Sequence, residues 1–298
     1  MNTPEPEPLN RRALARQLSQ AGSASVADAL SDAFDVLEET ESAVRIGVTG
    51  PPGAGKSTLI ARLAAARLQQ PGRVGILAID PTSPLSKGSI LGDRIRMDEI
   101  AADPNLYIRS MPSRHAHDGM ADNMTEMLAV MERHNFDDII LETVGIGQAD
   151  YAVRTLVDTV ILVVMPESGD TVQAMKAGVM EMADIYVVNK ADRPGAKRTV
   201  ADIQSVLALK DFNSDGWQPP VLLTSSEDKD IAALDQAISA HLEWRRNNTN
   251  RAAHRRDRVS YHVESLLNRR VKELLTDAEP AQLDQPIRDI YKDLVERL

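Results

Sequence analysis

Residues 47–58 read GVTGPPGAGKST, and they directly follow the short apolar run VRI at positions 44–46. Residues 50–57 match the pattern G-x-x-x-x-G-K-[S/T] in full, and a helical stretch, STLIARLAAARL, begins at its end. A tight surface turn would explain the glycines and prolines, but not the lysine and hydroxyls behind them. In this pattern the glycines let successive backbone N–H groups converge on phosphate oxygens at the positive end of a helix. The stretch therefore predicts a phosphate-binding loop at a strand-to-helix junction.

The polar side chains of this loop have separate expected roles. Lys56 is expected to neutralise β- and γ-phosphate oxygens, and Ser57 to offer its hydroxyl to Mg²⁺. The residues expected to bind nucleotide here are Gly50, Pro51, Pro52, Gly53, Ala54, Gly55, Lys56, Ser57 and Thr58.

Around the loop, short apolar runs alternate with helical stretches. The runs predict strands at 44–49, 73–79, 106–108, 137–142, 159–165, 184–189 and 220–224, and helices at 57–69, 119–133, 170–182, 197–209 and 229–243. Several runs are continuously apolar, as in strands buried on both faces of a parallel sheet. The pattern predicts an α/β fold, a P-loop NTPase G domain with a mostly parallel, doubly wound sheet and ligand loops at the carboxyl ends of its strands.

The two ends of the chain differ from this alternating centre. We predict a disordered start and an N-terminal helical extension at residues 1–42 and the G domain at residues 43–246. A C-terminal helical hairpin, which we call the arm, is predicted at residues 247–298. The apolar face of the extension consists of Val26, Leu30, Phe34 and Leu37. The polar, basic stretch at 245–258 is interpreted as a solvated helix end and connector. Each of the two helices of the hairpin carries an apolar stripe, and each stripe needs a partner surface. That surface could belong to this domain or to a second copy of the chain, and we favour a homodimer.

A second motif concerns the base of the nucleotide. Residues 189–192 read NKAD and follow an apolar strand. The carboxylate of Asp192 can accept hydrogen bonds from guanine N1–H and the exocyclic amine, a pair that adenine does not supply. Asn189 would tie this loop to the phosphate loop, and the stem of Lys190 would cover one face of the base. One repeat later, Thr224, Ser225 and Ser226 could offer backbone N–H groups to guanine O6. The nucleotide is predicted to be GTP.

Three carboxylates are candidates for the magnesium site and for hydrolysis. Asp80 ends one strand, Asp93 lies in GSILGD, and Glu142 ends DIILE. Taken singly, they could be a turn residue, a helix cap and a surface charge. Beside a phosphate loop, such oxygen ligands predict a Mg²⁺ site. Ile146 follows Gly145 where a water-positioning glutamine would be expected, and Gln148 is a nearby substitute, so intrinsic hydrolysis should be slow. The expected catalytic set is Lys56, Asp80, Asp93, Glu142 and Gln148.

The composition narrows the possible function classes. The chain of 298 residues carries a formal net charge of −10, which argues against a broad nucleic-acid interface. It has no cysteine, which excludes disulfides, thiolate nucleophiles and cysteine-ligated metals. The N-terminus lacks the apolar core of a signal peptide, and no apolar run is long enough to span a membrane. A cytoplasmic protein with no membrane or nucleic-acid partner is expected.

Several longer stretches carry a family resemblance. GPPGAGKST, AIDPTSP with GSILGDRIRM, IRSMPSR, ETVGIGQAD and MEMADIYVVNKAD resemble the MeaB/ArgK-type GTPases, chaperones of cobalamin-dependent acyl-CoA mutases, chiefly methylmalonyl-CoA mutase, a family that includes human MMAA. The resemblance runs from about Arg11 to the end of the chain. It implies a homodimer joined through the C-terminal arms, and slow GTP hydrolysis accelerated by the mutase. It also implies that the nucleotide state gates adenosylcobalamin delivery and protects the mutase from inactivation.

The resemblance also assigns residues. Lys56, Ser57, Asp80, Asp93 and Glu142 match the family's phosphate and Mg²⁺ positions. Gln173 and Lys176, in SGDTVQAMKAG, match a mobile switch that responds to the mutase, although an exposed helix face would look the same in the sequence.

One stretch departs from the family pattern and leaves alternatives open. Where relatives have glycines, residues 112–120 read PSRHAHDGM, with His115, His117 and Asp118. Solvated loop residues would explain them. A nickel-insertion GTPase with His115 and His117 as transfer ligands is one alternative function. A P-loop kinase and a GTP-binding scaffold without turnover are two others, although no second substrate motif is visible.

Overall fold

The computed structural model describes residues 8–31, 43–80, 100–112, 120, 123–143, 149–166, 182–209, 216–225 and 231–298. Its strands are β1 (Val44–Thr49), β2 (Val74–Asp80), β3 (Leu106–Pro112), β4 (Asp138–Glu142), β5 (Thr159–Val164), β6 (Ile185–Val188) and β7 (Val221–Leu223). They form one sheet in the order β3-β2-β4-β1-β5-β6-β7, and each pair within it is parallel. The predicted parallel α/β sheet is confirmed. All its carboxyl ends therefore lie at one edge.

Helices cover both faces of this sheet. In the described residues they are α1 (Arg11–Ser23), α2 (Val26–Ala29), α3 (Lys56–Arg67), α4 (Met124–Arg133), α5 (Ala149–Leu156), α6 (Ala196–Ala208), α7 (Ala232–Asn248), α8 (Arg251–Thr276), α9 (Pro280–Leu283) and α10 (Ile287–Arg297). Side chains of β5 alternate between the two layers, as a strand requires. Val160 packs with α1, α4 and α5, whereas Ile161 and Val163 pack with α3 and α7. The strands are continuously apolar because both faces are covered.

The N-terminal extension is not one continuous helix. α1 ends at Ser23, and α2 begins again at Val26 because Ser25 and Asp28 form a capping box. The expected face is wrong at Leu30, which caps α2 and is exposed. Phe34 and Leu37 lie outside the described residues. The extension packs through Leu14 and Leu18, which join the core beside α4.

Other boundaries also differ from the sequence prediction. β3 continues to Pro112, four residues beyond the predicted strand at 106–108, because Val74–Asp80 of β2 pairs with it along the whole length. The predicted helix at 119–133 begins only at Met124. The predicted helix at 170–182 lies outside the described residues apart from its last position.

The stretch at 245–258 is mostly exposed, as expected of a solvated helix end and connector, but the connector is only two residues long. α7 continues to Asn248, and α8 begins at Arg251 because the Asn250 side chain accepts hydrogen bonds from Ala252 N and Ala253 N. Arg258 then donates to Asp158 Oδ1 at 2.9 Å. The basic residues of this stretch thus help to attach the C-terminal helices to the sheet.

α8 lies against the G domain along much of its length. Tyr261 packs against the core, Arg269 forms a buried ion pair with Glu126 of α4, and Glu273 accepts a hydrogen bond from Val26 N at 2.9 Å. α10 has no buried residue and exposes Ile287 and Tyr291. Within the described ranges, no helix has the length and apolarity needed to cross a bilayer.

Candidate nucleotide-binding site

The backbone between β1 and α3 depends on glycine at two positions. Gly50 has φ 144°, and a Cβ there would lie 2.0 Å from the carbonyl oxygen of Val163 in β5. Gly55 has φ 90° and caps α3, and a Cβ there would lie 2.3 Å from the side-chain amide of Asn189. Only glycine allows these conformations together with these close approaches. The loop is therefore held tightly between β5 and the residue that follows β6.

Lys56 points back over this loop. The residue is 7% exposed, and its Nζ donates to the carbonyl oxygens of Gly50 at 2.8 Å and Pro51 at 3.3 Å. The ammonium group is therefore oriented before any anion binds. Phosphate oxygens can replace these carbonyl oxygens as stronger, charged acceptors.

Ser57 and Glu142 bring oxygen atoms together beside the loop. Ser57 Oγ donates to Glu142 Oε1 at 2.9 Å, and both residues are buried. Glu142 ends β4 and pairs in register with Val48 of β1 and Ala78 of β2. Asp80 ends β2 two residues beyond Ala78, so its main chain reaches the same edge. A hydroxyl and a carboxylate at this distance are hard oxygen donors that suit Mg²⁺.

Asn189 joins the phosphate loop to the end of β6, as the sequence predicts. Its Nδ2 donates to Ala54 O at 2.7 Å, and its Oδ1 accepts from Thr224 Oγ1 at 3.1 Å. This buried amide therefore links three segments, those after β1, β6 and β7. The loops that should meet the phosphates and the base are held in one arrangement.

Beside this link lies a cavity of about 190 Å³. It is lined by Gly55, Thr58, Leu59, Arg62, Asn189, Lys190, Asp192 and Arg193. Asp192 therefore faces the same space as the start of α3, which is what base and phosphate recognition of one nucleotide requires. Lys190 has φ 58°, and its Nζ donates to Gly53 O at 2.6 Å. That contact folds the lysine stem across the cavity wall.

Sequence reasoning missed Arg62 and the lysine contact to Gly53. Arg62 lies on α3 and donates through Nη1 to the carbonyl oxygen of Ser225 at 2.8 Å. Its spacing from Thr58 and Leu59, four and three residues, places all three on one helix face. That spacing was the signal available in the sequence, but it becomes informative only once Thr58 is known to line a cavity.

Several expected site residues lie outside the described part of the chain. They are Asp93, Gln148, Gln173, Lys176 and Ser226, together with His115, His117 and Asp118, and the side chain of Asp80. Among the described residues, no group of three or more His, Cys, Asp or Glu side chains is arranged to hold a metal ion.

Comparison with known proteins agrees with this site. A family model described as methylmalonyl Co-A mutase-associated GTPase MeaB matches residues 14–280. A putative GTPase of Pyrococcus abyssi is 40% identical over 232 residues, which are 77% of this chain and 72% of that protein. The mitochondrial methylmalonic aciduria type A homolog of Mus musculus is 40% identical over 185 residues, 62% of this chain and 45% of that protein.

Among solved structures, one of a LAO/AO transport system kinase superposes with a TM-score of 0.66 at 24% identity, covering 97% of this chain and 93% of that one. This likeness shows a shared fold and says nothing about kinase activity. The family match spans most of the chain and includes both nucleotide motifs. The chain therefore belongs to the MeaB family of methylmalonyl-CoA mutase-associated GTPases.

Proposed function

We propose that this protein binds GTP with Mg²⁺, hydrolyses it slowly, and acts as a chaperone of a cobalamin-dependent acyl-CoA mutase, methylmalonyl-CoA mutase being the first candidate. One observation supports the nucleotide part most directly. Asp192 and the start of α3 line the same cavity, and Asn189 connects their two loops. A guanine base at Asp192 and a phosphate chain at the loop then belong to one molecule.

The described side chains divide the work of hydrolysis. The loop N–H groups and Lys56 would bind and orient the phosphates, which is most of what phosphoryl transfer needs from a protein. Ser57 and Glu142, with Asp80 and Asp93, would hold Mg²⁺. When bound, this ion would neutralise charge on the β- and γ-phosphate oxygens. Gln148 is proposed to orient the attacking water once the partner has brought this glutamine into position.

Partnership with a mutase is inferred from family membership. The nucleotide state would gate adenosylcobalamin delivery and protect the mutase from inactivation, with Gln173 and Lys176 as the responding switch. The G domain at 43–246 would act between the helical extension at 1–42 and the arm at 247–298. We place this activity in the cytoplasm.

A homodimer through the arm is supported by exposed apolar side chains on α10 and next to it. Leu283, Ile287, Tyr291 and Val295 are 44%, 85%, 67% and 51% exposed, a large apolar area to leave in contact with water. The Ile287→Asp, Tyr291→Asp variant should sediment as a monomer where the parent protein sediments as a dimer. A parent protein that is monomeric at micromolar concentration would contradict this part of the proposal.

Two measurements test the main proposal. Calorimetry should show that GTP binds much more tightly than ATP in the presence of Mg²⁺. Phosphate release from GTP should be slow alone and faster with methylmalonyl-CoA mutase. A cobalamin-dependent methyltransferase at equal concentration is the matched control for the partner, and Lys56→Ala is the control for contaminating GTPase. Equal affinity for GTP and ATP would disprove the nucleotide assignment, and unchanged turnover with the mutase would disprove the partner.

A further inference from the structure

Two buried threonines join the ends of β1 and β4. Thr49 is the last residue of β1, Thr143 directly follows β4, and each is 1% exposed. Thr143 Oγ1 donates to Thr49 Oγ1 at 2.9 Å, and Thr143 N donates to Val48 O at 3.1 Å. Val48 and Glu142 are the last pair in register between the two strands. The threonine pair therefore continues the contact between β1 and β4 one residue beyond that register pair.

The hydroxyls of this pair lie on the face of the sheet opposite the proposed magnesium ligands. Glu142 faces α3, where its carboxylate accepts a hydrogen bond from Ser57 Oγ at 2.9 Å. Alternate side chains of a strand point to opposite faces. Gly47 shares a face with Thr49, and a Cβ at Gly47 would lie 3.2 Å from Val153 of α5. The pair therefore faces α5, and its influence on a nucleotide passes through the chain that it holds.

That chain carries groups of the nucleotide-binding site on both strands. Glu142 is the last residue of β4, and strand ends are where a sheet opens most easily. The two hydrogen bonds of Thr143 fix the chain directly after Glu142, while the register with β1 and β2 fixes the chain before it. Thr49 directly precedes Gly50, whose carbonyl oxygen accepts from Lys56 Nζ. The hydroxyl contact thus holds a proposed Mg²⁺ ligand at a fixed place relative to the phosphate loop.

We propose that Thr49 and Thr143 are positioning residues for Mg²⁺, whose hydroxyl contact keeps the Glu142 carboxylate beside Ser57 and the phosphate loop. This inference rests on the proposed binding of GTP with Mg²⁺ and extends it to two residues outside the expected ligand set. Groups that orient a metal ligand without touching the metal change metal affinity about 10- to 100-fold when they are replaced. Because the threonines act on Glu142 through the backbone, we expect the lower end of this range.

The test measures the dependence of nucleotide binding on Mg²⁺ rather than turnover. Calorimetry gives the affinity for the non-hydrolysable analogue GppNHp in EDTA and in saturating Mg²⁺, and the ratio of the two is the gain in affinity from Mg²⁺. In Thr143→Val, which replaces the hydroxyl by a methyl group of similar size, this gain should fall about 10-fold. The affinity in EDTA should stay within about twofold of the parent value. Thr143→Ser keeps the hydroxyl and should restore the parent's gain from Mg²⁺.

A second variant and a matched control complete the comparison. Thr49→Val removes the acceptor of the same hydrogen bond, so it should reduce the gain from Mg²⁺ as Thr143→Val does. The double variant should lose no more than either single change, because both remove one interaction. Thr159→Val is the control, since Thr159 is also buried and its hydroxyl bonds to His241 Nδ1 at 2.8 Å, at the amino end of β5. This variant should lose stability in urea unfolding and keep the full gain from Mg²⁺.

The possible outcomes separate this inference from the proposed function. An unchanged gain from Mg²⁺ in Thr143→Val would overturn the inference while leaving GTP binding and the magnesium site intact. Equal losses in EDTA and in Mg²⁺ would also overturn it, because the pair would then hold the phosphate loop alone. If Mg²⁺ does not raise the affinity of the parent protein, the proposed magnesium site fails and the inference fails with it. Should Thr143→Val fail to fold, Thr49→Val decides by the same criteria.

Discussion

Replacing Arg269 by methionine should be among the most destabilising single changes in the arm. Arg269 forms an ion pair with Glu126 of α4, with side chains 7% and 0% exposed. Its Nη2 also donates to Ala24 O at 2.8 Å, between α1 and α2. One guanidinium therefore joins α8 to α4 and to the N-terminal extension. Methionine keeps the apolar stem and removes both contacts.

The size of the effect follows from the charge that remains. Burial alone would raise the pKa of Glu126, but His262 at 3.6 Å and Arg269 outweigh it and hold the pKa below its ordinary value of 4.5. Glu126 is therefore ionised at pH 7, and removing Arg269 leaves its charge poorly compensated. Breaking a buried pair in this way costs about 3–5 kcal/mol of unfolding free energy.

The pH dependence has a definite sign. A carboxyl with a lowered folded pKa contributes stability above its unfolded pKa and loses it as the pH falls through the folded pKa. In Arg269→Met, burial would dominate, and Glu126 would take up a proton at higher pH. The difference between the two proteins should therefore be largest near pH 7 and narrow toward pH 4.

Urea unfolding of the full chain measures this difference. The matched control is Arg270→Met. Arg270 is the next residue, but its side chain is 39% exposed and its ion pair with Glu273 is long, at 3.6 Å. That change should cost about 0.2–1 kcal/mol. The Glu126→Gln, Arg269→Met double variant should recover part of the loss by removing the buried charge. The reasoning is wrong if Arg269→Met costs no more than its neighbour.

Three further predictions concern single positions. Gly50→Ala should abolish GTP binding and destabilise the fold, because its Cβ would meet Val163 O at 2.0 Å, whereas Gly53→Ala, with nothing within 4 Å, should show only a backbone penalty of about 1–2 kcal/mol; calorimetry and thermal unfolding compare them. Asp192→Ala should lower the affinity for GTP and leave that for ATP unchanged in the same calorimetric assay, and parallel losses would contradict base recognition. Burial and two nearby arginines lower the pKa of His254 from its ordinary value of 6.5 to about 4. The free energy of unfolding should therefore decrease as the pH falls below 6.5. His254→Asn should show a smaller loss of unfolding free energy between pH 7 and 4.5, and an equal loss would refute this assignment.

The nucleotide-binding edge could be predicted because its signals are local in the sequence. The glycines at 50, 53 and 55 and the NKAD stretch each follow an apolar strand, and parallel strands bring their carboxyl ends to one edge. The sequence also predicted that Asn189 would reach the phosphate loop, and it does so 135 residues away in the chain. Motif and topology together were sufficient for this contact.

Other features required the tertiary structure. The contacts of Arg62 with Ser225 and of Arg269 with Glu126 join residues 163 and 143 positions apart, and neither belongs to a recognisable motif. The break between α1 and α2 did have a signal in the sequence, because SVAD at 25–28 is a capping-box pattern. It was not used because the apolar residues continue at helical spacing through it. Asn250 was a similar unused signal for the start of α8.

The amino ends of the strands lie at the edge opposite the nucleotide-binding site, and the C-terminal arm is attached there through contacts of a different kind. Asp158 lies just before β5, and its carboxylate accepts from Arg45 N at 2.9 Å and from Arg258 of α8 at 2.9 Å. Arg245 of α7 donates to its carbonyl oxygen at 2.6 Å. These charges pair with protein groups, so this edge is closed by side chains of the chain itself. At the carboxyl edge, Lys56 and Lys190 rest on backbone carbonyl oxygens, weaker acceptors that a triphosphate can replace. The protein can therefore bind a polyanion despite its net charge of −10. At the carboxyl edge its cationic side chains contact acceptors that a triphosphate can replace, whereas at the opposite edge they are paired with groups of the protein itself.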